Sequence, residues 1–155
     1  MNARPHRRGV LRLLFLCFAL ITTGCTQEKS AHPEEPAIRA HLERYFSTWS
    51  AQDMEGYGAC FQEQARVFFV EKSGGSRSEG LTDFLHGQRL GHTQSPVKMT
   101  EVPLEMHITG DARVAQAAVK WKLTKGAEII TGMDYFTLAK TAQGWRIVSL
   151  VFFND

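Results

Sequence analysis

The sequence has few residues that could form disulfides or bind a metal ion. Its 155 residues include three cysteines, too few and too scattered for a disulfide framework. No two of its six histidines have the i, i+4 spacing of a metal-binding helix, and no Cys/His cluster occurs. It also lacks a glycine-rich phosphate loop and a Gly-x-Ser-x-Gly elbow. We therefore expect neither a metal nor any other cofactor.

Long apolar runs are missing as well. The run Leu13–Ile21 has nine residues, whereas a helix that crosses a bilayer needs roughly 20. Four arginines and no acidic residue precede this run, and small residues follow it. This order is typical of a signal peptide, which we place at residues 1–24. The pair Arg7-Arg8 is compatible with either general or twin-arginine export, so the route stays open.

Cys25 directly follows the small residues Thr22, Thr23 and Gly24. The segment resembles the lipobox of bacterial lipoproteins, in which the cysteine becomes the acylated first residue of the mature chain. Thr22 stands where the usual pattern has leucine. The resemblance implies a lipid (palmitate-type) attached at Cys25 and an exported protein held at a membrane of the bacterial cell envelope. Thr26, rather than aspartate, after the cysteine favours the outer membrane, as lipoprotein sorting in enteric bacteria implies.

Positive charge becomes scarce once the leader is removed. The whole chain has 18 Lys and Arg against 16 Asp and Glu, and residues 1–24 hold four of the basic residues and no acidic one. The remainder therefore has 14 against 16, and no basic patch indicates nucleic-acid binding. Residues 25–36 are polar and contain two prolines, which predicts a lipid-attached flexible tether. Residues 37–155 have the size of one domain.

The order of periodic patterns indicates the fold class. Apolar residues at helical spacing from Ile38 to Trp49 predict a first helix beginning near Pro36. Asp53 is suited to cap a second helix, Met54–Phe61, and a third helix follows Gly80. An aromatic strand, Arg66–Glu71, precedes that third helix, and period-two alternation dominates after Val97. We expect an α+β domain in which three N-terminal helices pack on a strongly curved, mainly antiparallel sheet.

Three segments carry a resemblance to a known superfamily. They are the end of the first helix (residues 45–53), the aromatic stretch from Phe61 to Val70, and the closing Gly144-Trp145-Arg146-Ile147-Val148. Together they resemble the nuclear transport factor 2-like superfamily, which includes the SnoaL-like cyclases and ketosteroid isomerase. The resemblance covers nearly all of residues 37–155. It implies a cone-shaped domain with an apolar pocket at its wide end.

The resemblance also implies roles for three positions. Ketosteroid isomerase uses a tyrosine on its first helix and an aspartic acid on a late strand as oxyanion donors, and a second aspartate as base. Aligned on Arg44-Tyr45 and on Asp134-Tyr135-Phe136, this chain has Tyr45 and Asp134 at the donor positions. The base position falls on Phe69, which cannot accept a proton. We therefore do not expect the isomerase reaction.

Four residues are candidates for binding a ligand: Tyr45, Phe69, Trp121 and Asp134. Asp134 shares a strand face with apolar residues, so desolvation is expected to raise its pKa. The alternative is a structural Asp134 that is wet or salt-bridged. Tyr45 could equally be a core tyrosine, and Trp121 could line either the core or the pocket. His107 alternates with Glu101 and Glu105 on a polar face, which predicts solvated side chains.

Two principal hypotheses of function follow. The first is a non-catalytic envelope module that binds a small apolar or amphipathic molecule in the cone pocket. The second is a SnoaL-like cyclase, isomerase or hydrolase with Asp134 as its acid or base; no other catalytic residue is indicated. A dimerising interaction module is a third option, although the sheet face of Gln116, Lys120 and Lys122 is too polar for a large interface. A homodimer through other rows stays open, and we favour the binding module.

Overall fold

The computed structural model describes residues 32–155, which form three helices and six strands. The helices are α1 (Glu35–Ser50), α2 (Met54–Gly58) and α3 (Leu81–Gln94). The strands are β1 (Phe61–Val70), β2 (Ser76–Gly80), β3 (Met99–Gly110), β4 (Val114–Lys125), β5 (Glu128–Thr141) and β6 (Gly144–Asn154). The predicted α+β class is confirmed. As predicted, α3 follows an aromatic strand; the additional strand β2 lies between the two.

The six strands form one sheet in the order β2-β1-β6-β5-β4-β3. Neighbouring strands are antiparallel except β1 and β6, which pair in parallel. The first strand of the chain therefore lies beside the last one. α1 packs across β3 at one edge of the sheet and α3 packs on β1 near the other, so the helices cover one face.

Helix α1 buries the stripe that its sequence predicts. Its buried residues recur at helical spacing and are Ile38, Leu42, Tyr45, Phe46 and Trp49. Pro36 lies in its first turn, where no backbone N–H is needed. Asp53 caps α2 as expected, because its side chain accepts a hydrogen bond from the Gly56 N–H at 2.8 Å.

The domain begins earlier than predicted, because residues before α1 contact the end of the sheet. We call this set of contacts the N-terminal clasp (His32, Glu34, Asp111, Lys140 and Trp145). His32 is buried against the Trp145 ring, and its Nε2 bonds to the Asp111 carbonyl. Glu34 accepts a hydrogen bond from the Trp145 indole at 3.2 Å and forms an ion pair with Lys140. Residues 32–36, which the sequence assigned to the flexible tether, therefore belong to the folded domain.

Strand β2 was not predicted. Residues 76–80 (SRSEG) contain no apolar side chain, so their sequence resembles the turn that precedes them. They form a strand because β1 offers unpaired backbone groups along its edge, from Arg66 to Val70. β2 is exposed over most of its length, which is how a polar edge strand protects a sheet from further pairing.

A β-bulge in β3 corrects a second prediction. The alternation along this strand placed Glu101 on the solvated face together with Glu105 and His107. The pairing of β3 with β4 shifts between Pro103 and Glu105, so the side chains before the bulge face the opposite way from those after it. Glu101 consequently points towards the helices, whereas Glu105 and His107 are exposed as predicted.

The leader, Cys25 and the proposed cleavage point lie outside the described residues. No helix within residues 32–155 is long and apolar enough to cross a membrane. Cys60 behaves as a small buried hydrophobe, as expected: it is fully buried, and this burial raises the pKa of its thiol to about 11.

Candidate functional site

A cavity of about 140 Å³ lies between the C-terminal half of α1, the short helix α2, helix α3 and the inner face of the sheet. Its walls are chiefly aromatic, formed by Tyr45, Trp49, Tyr57, Phe84, Trp121 and Phe152. Leu123 and Leu150 complete the apolar surface, while Gln88 and Asn154 add amides at its margin. The Trp49 indole donates a hydrogen bond to Gln88 at 2.8 Å, which fixes the helix-side wall.

Two tyrosines form the floor of this cavity. Tyr45 is 3% exposed and its ring lies 4.7 Å from that of Tyr57, which is equally buried. Phe136 meets the other side of Tyr45 edge-on at 5.1 Å. Burial raises the pKa of both tyrosines well above the usual value. Tyr57 raises the pKa of Tyr45 further, whereas the hydrogen bond with Tyr45 lowers the pKa of Tyr57 in part. Both hydroxyls therefore keep their protons and can donate hydrogen bonds.

Asp134 is the buried carboxyl group of the site. It is 3% exposed and lies on the same face of β5 as Gly132, Phe136 and Leu138, as the strand alternation predicts. Its Oδ2 has no hydrogen-bond partner in the described part of the chain. Burial raises its pKa well above the usual value, and the neighbouring Glu101 raises it further; Trp121 and Tyr45 lower it, by less.

Glu101 is a second carboxyl group that sequence reasoning missed. It lies on β3, lines the same cavity, and has a pKa raised by burial to about 8. Ser50, the last residue of α1, fixes its backbone: the Ser50 hydroxyl donates to the Glu101 carbonyl at 2.9 Å and accepts from its N–H at 2.8 Å. A signal was present in the sequence, because a proline inside a strand, Pro103, marks a bulge.

Trp121 lies on β4, between the strands that carry the two carboxyl groups. It pairs with Pro103 of β3 and with Gly132 of β5. A Cβ at Gly132 would lie 2.3 Å from the Trp121 ring and 2.2 Å from the Phe153 carbonyl, so only glycine lets the indole lie flat there. The buried indole N–H has no hydrogen-bond partner among residues 32–155. Trp121 belongs to the core and also lines the cavity, so the two locations predicted for it are not exclusive.

The electrostatics of the cavity are unusual in one respect. Two carboxyl groups line it, but no lysine, arginine or histidine of residues 32–155 does. The raised pKa values of Glu101 and Asp134 leave these carboxyl groups largely protonated near neutral pH. No group of three or more His, Cys, Asp or Glu side chains suited to a metal occurs in the described chain. The site can thus exchange protons and hydrogen bonds with a ligand.

Phe69 is the candidate residue that the structure does not bring to this cavity. Its ring packs on Phe152 at 5.1 Å, and the Arg77 guanidinium lies 5.0 Å from its centroid. Phe152, its partner in the pairing of β1 with β6, stands between Phe69 and the cavity. Of the four predicted residues, the cavity therefore brings together Tyr45, Trp121 and Asp134 but not Phe69.

His92 is a further buried polar residue, close to the cavity but outside it. It lies in the last turn of α3, 7% exposed, with its ring 4.3 Å from that of Trp49. Neither ring nitrogen has a partner among the described residues, and burial lowers its pKa. It supports the Trp49 wall from behind without lining the cavity.

Comparison with known proteins identifies relatives of this fold. The family model described as "Putative lumazine-binding" matches residues 33–153. None of the curated proteins matches the chain.

Solved structures resemble the whole domain. A protein of unknown function from Mycobacterium tuberculosis is 24% identical over 79% of this chain and 72% of that chain, with a TM-score of 0.66. A nuclear transport factor 2-like protein of unknown function from Pseudomonas putida is 12% identical over 77% and 84%, with a TM-score of 0.66. A Novosphingobium aromaticivorans protein described as "Putative Scytalone Dehydratase" is 16% identical over 79% and 84%, with a TM-score of 0.64. At these identities the likeness shows the fold.

Proposed function

Since the chain belongs to the family whose model matches residues 33–153 and has the nuclear transport factor 2-like fold, we propose that its domain binds a small amphipathic molecule without transforming it. The ligand lies in the cavity between α1 and β5. It places a planar or apolar body against the aromatic walls and a polar edge against Asp134 and Trp121. The family description makes lumazine, a planar heterocycle, one reasonable probe of this site.

The observation that carries the proposal is a pair of buried, unpartnered polar atoms in one apolar cavity. Oδ2 of Asp134 and Nε1 of Trp121 have no partner at hydrogen-bond distance among residues 32–155, although the Trp121 N–H is near enough to lower the pKa of Asp134. Leaving a buried polar group unpaired costs about 1–3 kcal/mol. A ligand whose polar edge lies between these two groups would pair with both, and this supports the proposal.

The size of the cavity limits the ligand. The cavity volume of about 140 Å³ resembles that of a cavity known to hold benzene, which is about 150 Å³. One aromatic ring with a short polar substituent fits this space, and a second fused ring has room only towards the margin formed by Gln88 and Asn154.

Filling the cavity tests this proposal. We expect Leu123→Trp to place an indole in the ligand's volume and to abolish saturable binding of lumazine or benzyl alcohol to the purified protein, measured by calorimetry. Ile129→Trp is the matched control. Ile129 is 64% exposed on the neighbouring strand, so this substitution should leave binding unchanged. If lumazine, benzyl alcohol and benzylamine all fail to bind the unaltered protein saturably, the binding function is rejected.

The acid–base enzyme is the second candidate, and one observation favours it. Glu101 and Asp134 are two carboxyl groups with raised pKa values in one pocket, a pattern typical of acid–base sites. Against it, Phe69 occupies the position from which the resemblance would supply the base. Incorporation of deuterium from D₂O into a bound aryl ketone would favour the enzyme, provided that Asp134→Asn abolishes it.

We also propose that the mature chain is lipid-anchored at Cys25 in the cell envelope, with the outer membrane favoured. The support is the order of residues 1–25: arginines, a nine-residue apolar run, small residues and then the cysteine.

Substitution of the acylation site tests the anchor. We expect Cys25→Ser to move the protein from the membrane fraction of its native host, or to leave the leader uncleaved. Cys60→Ser is the matched control, since Cys60 is fully buried within the domain, and it should stay in the membrane fraction. Mass spectrometry of an unmodified mature chain that starts elsewhere would contradict acylation at Cys25.

A further inference from the structure

Within the cavity the two carboxyl groups meet no positive charge of residues 32–155. Glu101 also borders an outer groove that Glu43 and Lys98 line. Glu101 reaches the cavity from β3 and Asp134 from β5, with Trp121 of β4 between them. Asp134 is 3% exposed and its Oδ2 is unpartnered. For hydrogen bonding to a neutral ligand alone, an amide at each position would serve without any cost of ionisation. Two carboxyl groups add the capacity to take up a positive charge.

We propose that the polar edge of the ligand is a cation, namely a protonated amine carried by a single aromatic or similarly flat apolar body. This inference rests on the binding function proposed above and names the class of ligand. The ammonium group lies between the carboxyl groups of Glu101 and Asp134, and the body lies against Trp121 and the other aromatic rings.

The walls of the cavity suit such a cation. The faces of tryptophan and tyrosine rings attract ammonium groups, and Trp49, Trp121, Tyr45 and Tyr57 all line the cavity. The Trp121 N–H and the Tyr45 hydroxyl face Asp134 and act to lower its pKa, so they favour its charged form when the amine arrives. A metal ion fits less well, since no third ligand of the usual kind accompanies the two carboxyl groups within residues 32–155.

Binding of the amine is coupled to loss of a proton from the carboxyl pair. Glu101 has a pKa of about 8 and is therefore within reach of ionisation at neutral pH. One carboxyl O–H bond breaks, the proton passes to the buffer, and the carboxylate that remains pairs with the ammonium group. Tyr45 and Tyr57 face the pair inside the cavity and keep their protons, because burial raises their pKa. Glu43 and Lys98 lie on the outer side of Glu101.

A pair of probes of equal shape tests the inference. Benzylamine, protonated, and benzyl alcohol, neutral, differ at one polar atom. We expect calorimetry with the purified protein at pH 8 to show benzylamine binding at least tenfold more tightly. Its binding heat should vary with the ionisation enthalpy of the buffer, because protons are released. Glu101→Gln and Asp134→Asn should each reduce the preference about tenfold or more.

The matched control is Glu105→Gln, which makes the same change on the same strand at an exposed position and should leave the preference unaltered. Benzyl alcohol or lumazine binding as tightly as benzylamine, or more tightly, overturns the cationic ligand while leaving the binding function intact. Failure of all three probes to bind overturns both.

Discussion

Trp145→Ala is expected to destabilise the domain by about 3–5 kcal/mol, the range for truncation of a buried large aromatic side chain. Trp145 is 3% exposed and belongs to the main core. Its removal leaves a cavity beneath the start of α1. It also deprives Glu34 of the indole hydrogen bond and exposes the ring of His32, which packs edge-on against Trp145 at 5.5 Å. Denaturant unfolding of the purified protein measures the loss.

An exposed aromatic residue supplies the control. Tyr135 is 47% exposed on the outer face of the sheet, so Tyr135→Ala should change the free energy of unfolding by less than about 1 kcal/mol. A loss below about 1 kcal/mol for Trp145→Ala would mean that the N-terminal clasp and the core beneath it do not depend on this ring.

The second large effect concerns pH. We expect Asp134→Asn combined with Glu101→Gln to raise stability by roughly 2–4 kcal/mol at pH 8 and by a smaller amount at pH 5. Both carboxyl groups have raised pKa values in the folded protein, caused mainly by burial. Between about pH 4 and pH 8 the unfolded chain releases these protons while the folded chain keeps them, so folding becomes less favourable as the pH rises. The variant lacks both groups and escapes this loss.

The comparison with the unaltered protein at each pH removes the contribution of the histidines. Burial lowers the pKa of His41 and His92, and protonation of the unfolded chain at these residues opposes the carboxyl effect below about pH 6.5. The variant and the unaltered protein share this histidine contribution. Melting temperatures at pH 5 and pH 8, with Glu105→Gln as control, give the difference. A salt-bridged Asp134 would produce the reverse, a variant that is less stable at pH 8 than the unaltered protein.

Periodic patterns in the sequence were sufficient for most of the fold. α1 and the meander of β3 to β6 were predictable because one face of each element is buried, and a buried face imposes its period on the sequence. The setting of Asp134 followed from the same reasoning, since Phe136 and Leu138 share its row and are buried. The parallel pairing of β1 with β6 was not predictable, because it joins the two ends of the domain and leaves no local signature.

The incomplete prediction of the site has a specific physical cause. A bulge between Pro103 and Glu105 adds one residue to β3 and reverses which side chains face inward. Reading a single period along the strand therefore put Glu101 in solvent. Tyr57 was overlooked for a different reason: α2 has only five residues, too few for a helical face to be recognised.

The position of the N-terminal clasp has a consequence for where a lipid anchor would join the domain. The clasp holds the chain at the first turn of α1, while Trp49 and Ser50, beside the cavity, lie at the other end of this helix. Sixteen helical residues separate the two ends by about 24 Å. If Cys25 carries a lipid, the chain between Cys25 and His32 extends at most ~25 Å from the membrane. An anchor at Cys25 would therefore join the domain at the end of α1 that is remote from the cavity.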